Sequence, residues 1–368
     1  MIVGLGKAAR LARAMCIASL LTAACAPSLP RPYLEAKAAG HRAYGAGRYD
    51  EAAKYFHEAA GKAERRKDRD EVLYLEAASY QRGGRHRDAR ASYEAMLELS
   101  PDGPRAARAA HEAARLEMRH GDEAKGWQMV HAAMLRYPNS GLTRAALLRY
   151  LGHLDETLGV ERTIAYLGKG QTWFHAHDLG EAALYEKAKR FEQLERLEEA
   201  RDGFLVCARK YPYPVGGLFD DALYRASLIE ERLGRPRQAV EHLRTMLRER
   251  ERATMQGSYE RPRYSQAQMR IAVLHRDALG EPDTARREFR KLYDTFTTSI
   301  LRDDALWAEA LVAREQGDRD GACEAVTLLV KKLPDSRYAK CARVLCEDAP
   351  EPSPAGECRD YIAREVPR

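Results

Sequence analysis

The sequence predicts an all-α protein, a solenoid of helix hairpins stacked side by side. Three observations carry this reading. Between Pro32 and Cys346, Ala, Leu, Arg and Glu dominate, apolar residues recur at three- and four-residue steps, and no alternating strand pattern appears. A string of turn, acidic or polar residue, Ala, and a large apolar residue four later comes back along the chain. The 368 residues are 45% hydrophobic and 32% charged, enough apolar surface for a core, which excludes global disorder. With Gly 26 and Pro 16, collagen-like and low-complexity classes are excluded too.

The first element is a signal peptide over residues 1–24. Lys7, Arg10 and Arg13 precede the uncharged run MCIASLLTAA, the layout of a charged n-region and a short apolar h-region. The run is too short to span a bilayer as a helix, which needs about 20 residues. It ends in Leu21-Thr22-Ala23-Ala24-Cys25, which resembles a bacterial lipobox, although Thr22 stands where that family prefers Leu, Val or Ile. The resemblance implies cleavage before Cys25 and a diacylglyceryl group, carrying chains such as palmitate, on its sulfur. The alternative is an ordinary cleaved signal, after Ala24 or Ala26. Net charge is +6 for the whole chain. Without the three signal cations it is +3, 58 basic against 55 acidic residues, which argues against a nucleic-acid binder.

Residues 25–32 form a lipid-anchored linker, since Pro27, Pro30 and Pro32 block helix and favour extended chain. Bacterial lipoproteins carry two or three acyl chains, which suffices for stable anchoring. Ala26 is not Asp, and by the sorting rule of enteric bacteria this implies the outer membrane, facing the periplasm.

Residues 33–346 hold the repeats. GRYDEAAKYFHEAA at 47–60 overlays GRHRDARASYEAML at 84–97, LERLEEARDGFLVCARKYP at 194–212, GRPRQAVEHLRTML at 234–247, GEPDTARREFRKLY at 280–293 and GDRDGACEAVTLLVKKLP at 317–334. The small anchors are Ala52, Ala89, Ala200, Ala239, Ala285 and Ala322; their large partners are Phe56, Tyr93, Phe204, Leu243, Phe289 and Val326. Gly47, Gly84, Gly234, Gly280 and Gly317 supply the turn between helices. Proline at 101, 138, 212 and 334 closes several units. Two stretches are degenerate, 105–138 with its Gly121–Ala124 turn and 142–170. Residues 248–264 form an inserted loop or extended helix.

These strings resemble the tetratricopeptide repeat, which implies a right-handed superhelix of helix hairpins, six clear units and one or two degenerate ones. Tyr211-Pro212 followed by Asp220-Asp221-Ala222-Leu223-Tyr224, Arg302-Asp303-Asp304-Ala305-Leu306-Trp307 followed by Leu333-Pro334-Asp335-Ser336, and Tyr137-Pro138-Asn139-Ser140 are similar to strings in envelope repeat lipoproteins. Examples are the repeat lipoprotein of the outer-membrane β-barrel assembly machine and the Tol–Pal-associated coordinator of cell division.

A stacked repeat lines one face with its first helices. On the repeat register, within one residue, that face carries Lys37, Tyr74, His111, Tyr185, Tyr224, Arg270 and Trp307. Tyr and Trp offer rigid, amphipathic contact area for a peptide or helix. The alternative is that these rings pack between helices and meet no ligand.

Catalytic chemistry finds no support. No HExxH, Gly-x-Ser-x-Gly, P-loop or nucleotide fingerprint occurs. His175, His177 and Asp178 lack a fourth ligand and read as a surface loop. The acidic residues sit at helical spacing beside Arg and Lys, as solvated faces. Cys207 reads as a helix-packing residue. Cys323, Cys341, Cys346 and Cys358 read as two disulfides, with Cys323–Cys341 and Cys346–Cys358 the favoured pairing and zinc the alternative. Residues 347–368 form a Pro-rich tail that such a disulfide would staple.

The reading is a non-catalytic scaffold of the bacterial cell envelope, anchored to the membrane by lipid. It binds envelope proteins or peptides, with no cofactor, metal, nucleic acid or small-molecule substrate. The alternatives are an accessory subunit or remnant of a peptidoglycan hydrolase, a soluble periplasmic protein, and a cytosolic repeat adaptor.

Overall fold

In a computed structural model of the chain, residues 29–249, 262–352 and 356–366 are described. The signal peptide, Cys25 and most of the linker lie outside them, as does most of the insertion at 248–264. The chain divides into two compact units, residues 1–150 and 151–368.

Among its described residues, the first unit is a run of antiparallel helices: α1 (Arg31–Gly45), α2 (Tyr49–Lys62), α3 (Arg66–Arg82), α4 (His86–Leu99), α5 (Ala106–His120) and α6 (Glu123–Arg136). The unit boundary falls inside α7 (Thr143–Leu158). The second unit continues with α8 (Val160–Lys169), a short α9 (Gln171–Ala176), α10 (Gly180–Gln193), α11 (Leu197–Lys210), α12 (Phe219–Arg232) and α13 (Pro236–Arg248). Then come α14 (Pro262–Asp277), α15 (Pro282–Thr295), α16 (Arg302–Glu315), α17 (Arg319–Lys332), a 3-10 turn (Ala339–Cys341), α18 (Ala342–Leu345) and α19 (Asp360–Ala363). No strand occurs among the described residues.

The repeat string maps onto the second helix of each hairpin. All six alanine anchors are fully buried, and so are their partners Phe56, Tyr93, Phe204, Leu243, Phe289 and Val326. The small residue lets the neighbouring helix approach, and the large one four later, one turn on along the same face, fills the seam.

The two degenerate stretches are regular hairpin helices whose anchors are not alanine. In α6, Ala124 is exposed, and Gly126 is the buried small residue, with Val130 its large partner. A Cβ on Gly126 would stand 2.3 Å from the Met118 side chain, so the position admits nothing larger. In α8, Thr163 and Leu167 take the two roles. Ala52, Ala89, Gly126, Thr163 and Ala200 then stand 37 residues apart in sequence, a regular period that the substitutions at 126 and 163 conceal.

The turn glycines behave as expected. Gly47, Gly84, Gly234, Gly280 and Gly317 all have φ between 62° and 78°. The unit at 194–212 lacks glycine there, and Glu195 takes the same left-handed conformation at φ 56°. Such backbone costs a residue with a Cβ about 1–3 kcal/mol. Glu195→Gly is therefore expected to stabilise the protein by about 1 kcal/mol in urea unfolding, because the exposed pair that Glu195 makes with Arg232 is worth little.

The hairpin turns are also joined by charge. Arg85, at the N-cap of α4, reaches Asp50 in the first turn of α2 at 3.2 Å. Arg235 binds Glu198 the same way, at 2.6 and 3.1 Å. Farther along the polarity reverses: Arg237 now donates to Glu281 at 2.8 Å and Arg286 to Asp318 at 2.7 Å.

Candidate partner-binding face

The recurring acidic pair positions the aromatic three residues beyond it. Glu71, Asp221 and Asp304 each hold an arginine from the start of the next hairpin. Arg105 grips Glu71 at 2.6 and 2.9 Å, Arg263 grips Asp221 at 2.8 Å, and Arg337 grips Asp304 at 2.5 Å. The guanidinium then lies over an aromatic ring: Arg105 is 5.2 Å from the centre of Tyr74, and Arg263 is 4.8 Å from that of Tyr224. Arg337 lies over Tyr338, which stacks on Trp307 at 5.0 Å. Such contacts contribute about 0.5–2 kcal/mol each. The residue before the acid ties repeats together in two of the hairpins. Asp303 accepts from the Ser336 hydroxyl at 2.8 Å, and Glu181, at the same register, accepts from the Leu218 backbone N–H at 2.6 Å.

Tyr74 is half-buried and tilts against Tyr93 at 5.5 Å. His111 is half-buried, with Nε2 lacking a hydrogen-bond partner among the described residues. Burial, then the Arg149 charge, holds its pKa below the ordinary histidine value. The Tyr185 hydroxyl accepts from Arg225 Nε at 2.9 Å, and its ring meets the edge of Phe204 at 5.3 Å. Burial pushes this phenol up, with the guanidinium opposing. Tyr224 is half-buried, and its hydroxyl makes no hydrogen bond among the described residues. Lys37 sits by Tyr33 in α1, 5.7 Å from the ring centre.

Two expected positions differ. Arg270 is one residue off the register. Ala267 is buried as Ala222 is, so Met269 takes the place of Tyr224, and Arg270 takes that of Arg225. The two arginines bind alike, Arg225 to Glu192 at 2.9 Å and Arg270 to Glu231 at 2.7 Å. Trp307 is only 2% exposed, so it is not presented to a partner in this structure. Its Nε1 donates to Glu365 Oε2 at 3.1 Å, a residue of the C-terminal tail.

The four C-terminal cysteines form disulfides, crossed relative to the favoured pairing: Cys323–Cys346 and Cys341–Cys358, with Cα separations of 5.0 and 4.5 Å. Cys341 closes the 3-10 turn and meets the tail, while Cys346 follows α18 in extended backbone and meets α17. No thiolate of the four remains for the zinc alternative. Cys207 joins no disulfide among the described residues and is buried in α11, where its Sγ donates to the Glu181 carbonyl at 3.7 Å.

No cluster of metal-ligating side chains occurs among the described residues. His175 is engaged by the Tyr211 hydroxyl at 2.6 Å, and His177 lies against Trp173 at 4.8 Å. A hollow of about 630 Å³ is lined by Arg286, Arg287, Arg290 and Lys291 facing Asp283, Asp294, Glu309 and Glu324. Four cations meet four anions there, so it offers no net charge to a small ionic substrate.

The buried carboxylates titrate in opposite senses. Burial pushes Glu288 up, but the Gln268 hydrogen bond at 2.7 Å, with Lys291 and Arg244, outweighs it and holds the group below 4.5. For Glu309 burial outweighs the Arg290 pair, and the group lies above 4.5. A depressed carboxyl contributes stability above its unfolded pKa and loses it as pH falls; a raised one contributes most at low pH and loses it as pH rises. Glu288→Gln is therefore expected to flatten the fall in urea midpoint below about pH 4.5, and Glu309→Gln is not.

A tetratricopeptide-repeat family model matches residues 37–104 and 224–300, so these spans are tetratricopeptide repeats. No curated protein matches the chain in sequence. Among solved structures it is similar to YrrB, described as a tetratricopeptide-repeat protein with an unusual peptide-binding site: 16% identity over 58% of this chain and 97% of that one, TM-score 0.36. A tetratricopeptide-repeat protein of Parabacteroides merdae ATCC 43184 gives 15% identity over 76% and 99%, TM-score 0.34. Pseudomonas aeruginosa pilF gives 15% over 74% and 95%, TM-score 0.29.

Proposed function

We propose that this tetratricopeptide-repeat chain is a non-catalytic protein-interaction scaffold of the bacterial envelope, held to the membrane by a lipid on Cys25. It takes a partner peptide or protein on the face formed by the first helices of its hairpins. The observation that supports this most is the recurrence of half-buried Tyr185 and Tyr224 at one register position of α10 and α12, with the Tyr224 hydroxyl unsatisfied among the described residues. Aromatic side chains with a free polar tip suit a binding surface better than a core. Support for the anchor comes from sequence alone, from the run ending at Ala24-Cys25.

A photo-crosslinking residue at Tyr224 is expected to capture one envelope protein in cells, and the capture to fall at least tenfold with Tyr185→Ala. Retention on purified peptidoglycan without any protein partner would instead favour the hydrolase-accessory reading. For the anchor, Cys25→Ser is expected to move the protein from the detergent phase to the aqueous phase and to abolish globomycin-sensitive processing. An intact N-terminus by mass spectrometry overturns export.

A further inference from the structure

The partner-binding reading leaves one position on the first-helix face unaccounted for, because the chain itself fills it. Trp307 in α16 follows Ala305-Leu306 as Tyr224 follows Ala222-Leu223, yet it is 2% exposed where Tyr224 is half-buried. Tyr338 stacks on the ring, and the segment at 358–366 closes on the indole N–H. Ile362 of α19 is fully buried in the same apolar cluster as Trp307 and Tyr338, and Glu365 receives the indole N–H at 3.1 Å. The covering segment is short, a single helical turn. Its neighbour Tyr361 stays 45% exposed. A covalent bond holds it down: Cys358, one residue before the turn's N-cap, is joined to Cys341.

Resting on that reading, we propose that the Trp307–Tyr338 surface is a latched docking site. The tail is its resident occupant, and a partner segment of the same chemistry displaces it once the Cys341–Cys358 bond opens. That partner carries an aliphatic side chain and, three residues on, a carboxylate, the spacing of Ile362 and Glu365. The chemistry follows from what the tail leaves behind. An uncovered stacked indole–phenol pair is a large apolar patch. Its N–H donor needs an acceptor once buried again. The latch governs competition through effective concentration, since an occupant tethered close to its site excludes a free one until the tether lengthens. Opening is a thiol–disulfide exchange. A dithiol reductant gives up two electrons and two protons and closes its own disulfide, while Cys341 and Cys358 become thiols.

The test uses the full chain and a fluorescent synthetic peptide of residues 356–366 carrying Cys358→Ser. Anisotropy is expected to show at least tenfold tighter peptide binding to the Cys341→Ser/Cys358→Ser chain than to the native oxidised chain. Native protein treated with dithiothreitol is expected to behave as the variant does. Trp307→Phe in the latch-free chain, which keeps a ring but removes the N–H, is expected to weaken binding, as is Glu365→Gln in the peptide. Hydrogen exchange of residues 356–366 is expected to speed up when the latch is absent. Equal binding with and without the latch, or unchanged exchange in the tail, makes the segment a fixed end cap and overturns the proposal. Either of these outcomes leaves the scaffold reading, and capture at Tyr224, in place. A working latch with no capture at Tyr224 does the reverse.

Discussion

Arg190→Met is expected to lower the unfolding free energy by about 3–5 kcal/mol, read from urea denaturation by circular dichroism. Arg190 lies in α10 and is 6% exposed. It binds Asp155 of α7 through two bonds of 3.0 and 2.7 Å, and Glu186 through its carboxylate at 2.9 Å. The guanidinium therefore neutralises two poorly solvated acids at once. Removing it leaves Asp155 without its cation and Glu186 with Lys189 alone, at 3.0 Å. The size of the loss comes from that orphaned charge, rather than from the strength of any single hydrogen bond. The triple variant Arg190→Met/Asp155→Leu/Glu186→Leu is expected to recover most of it, because a well-packed apolar set of similar volume replaces the cluster. If Arg190→Met alone costs less than about 1 kcal/mol, the cluster is solvated and the reading is wrong.

Phe204→Ala is expected to cost a similar amount, about 3–5 kcal/mol, by leaving a cavity in the second unit. The ring is fully buried in the cluster with Ala188, Ala200, Ala222 and Ala226. It meets the edge of Tyr185 and lies 5.9 Å from the Arg225 guanidinium. Because repeats stabilise one another through their nearest neighbours, the loss is expected to appear as reduced cooperativity of unfolding as well as a lower midpoint. Tyr185 loses its support too, so capture by the crosslinker at Tyr224 falls. Phe204→Leu, which keeps most of the volume, is expected to cost under about 1.5 kcal/mol. A control lies in α6: Ala124→Ser, at the exposed residue of the apparent anchor, is expected to change stability by less than about 0.5 kcal/mol.

The contrast between Ala124 and Gly126 shows where a sequence can be misread. The anchor position demands a small side chain, and glycine and threonine meet that demand as alanine does elsewhere. A pattern built on alanine passes over Gly126 and Thr163, although both keep the 37-residue spacing. The first-helix face was legible in part for a related reason. One residue type every 37–39 positions marks Tyr185 and Tyr224, but one extra residue in the turn between α14 and α15 slips the register at Arg270: the Glu281 N–H bonds the His275 carbonyl, six residues back, where the Arg235 N–H bonds the Glu230 carbonyl, five back. The acidic pairs were visible as a recurring string. Their role as clamps on Arg105, Arg263 and Arg337 was not, because each partner sits more than 30 residues away.

By itself the sequence determined the helical class, the hairpin turns, the buried anchors and the oxidisable cysteines at the end of the chain. These are consequences of local chemistry: 3.6-residue periodicity, glycine in left-handed turns, and small residues where helices must touch. Tertiary structure alone decided which cysteine faces which, which arginine covers which ring, and that the tail closes on Trp307. Those outcomes depend on where distant segments meet in space, which is not written in the spacing of residues along one strand of chain.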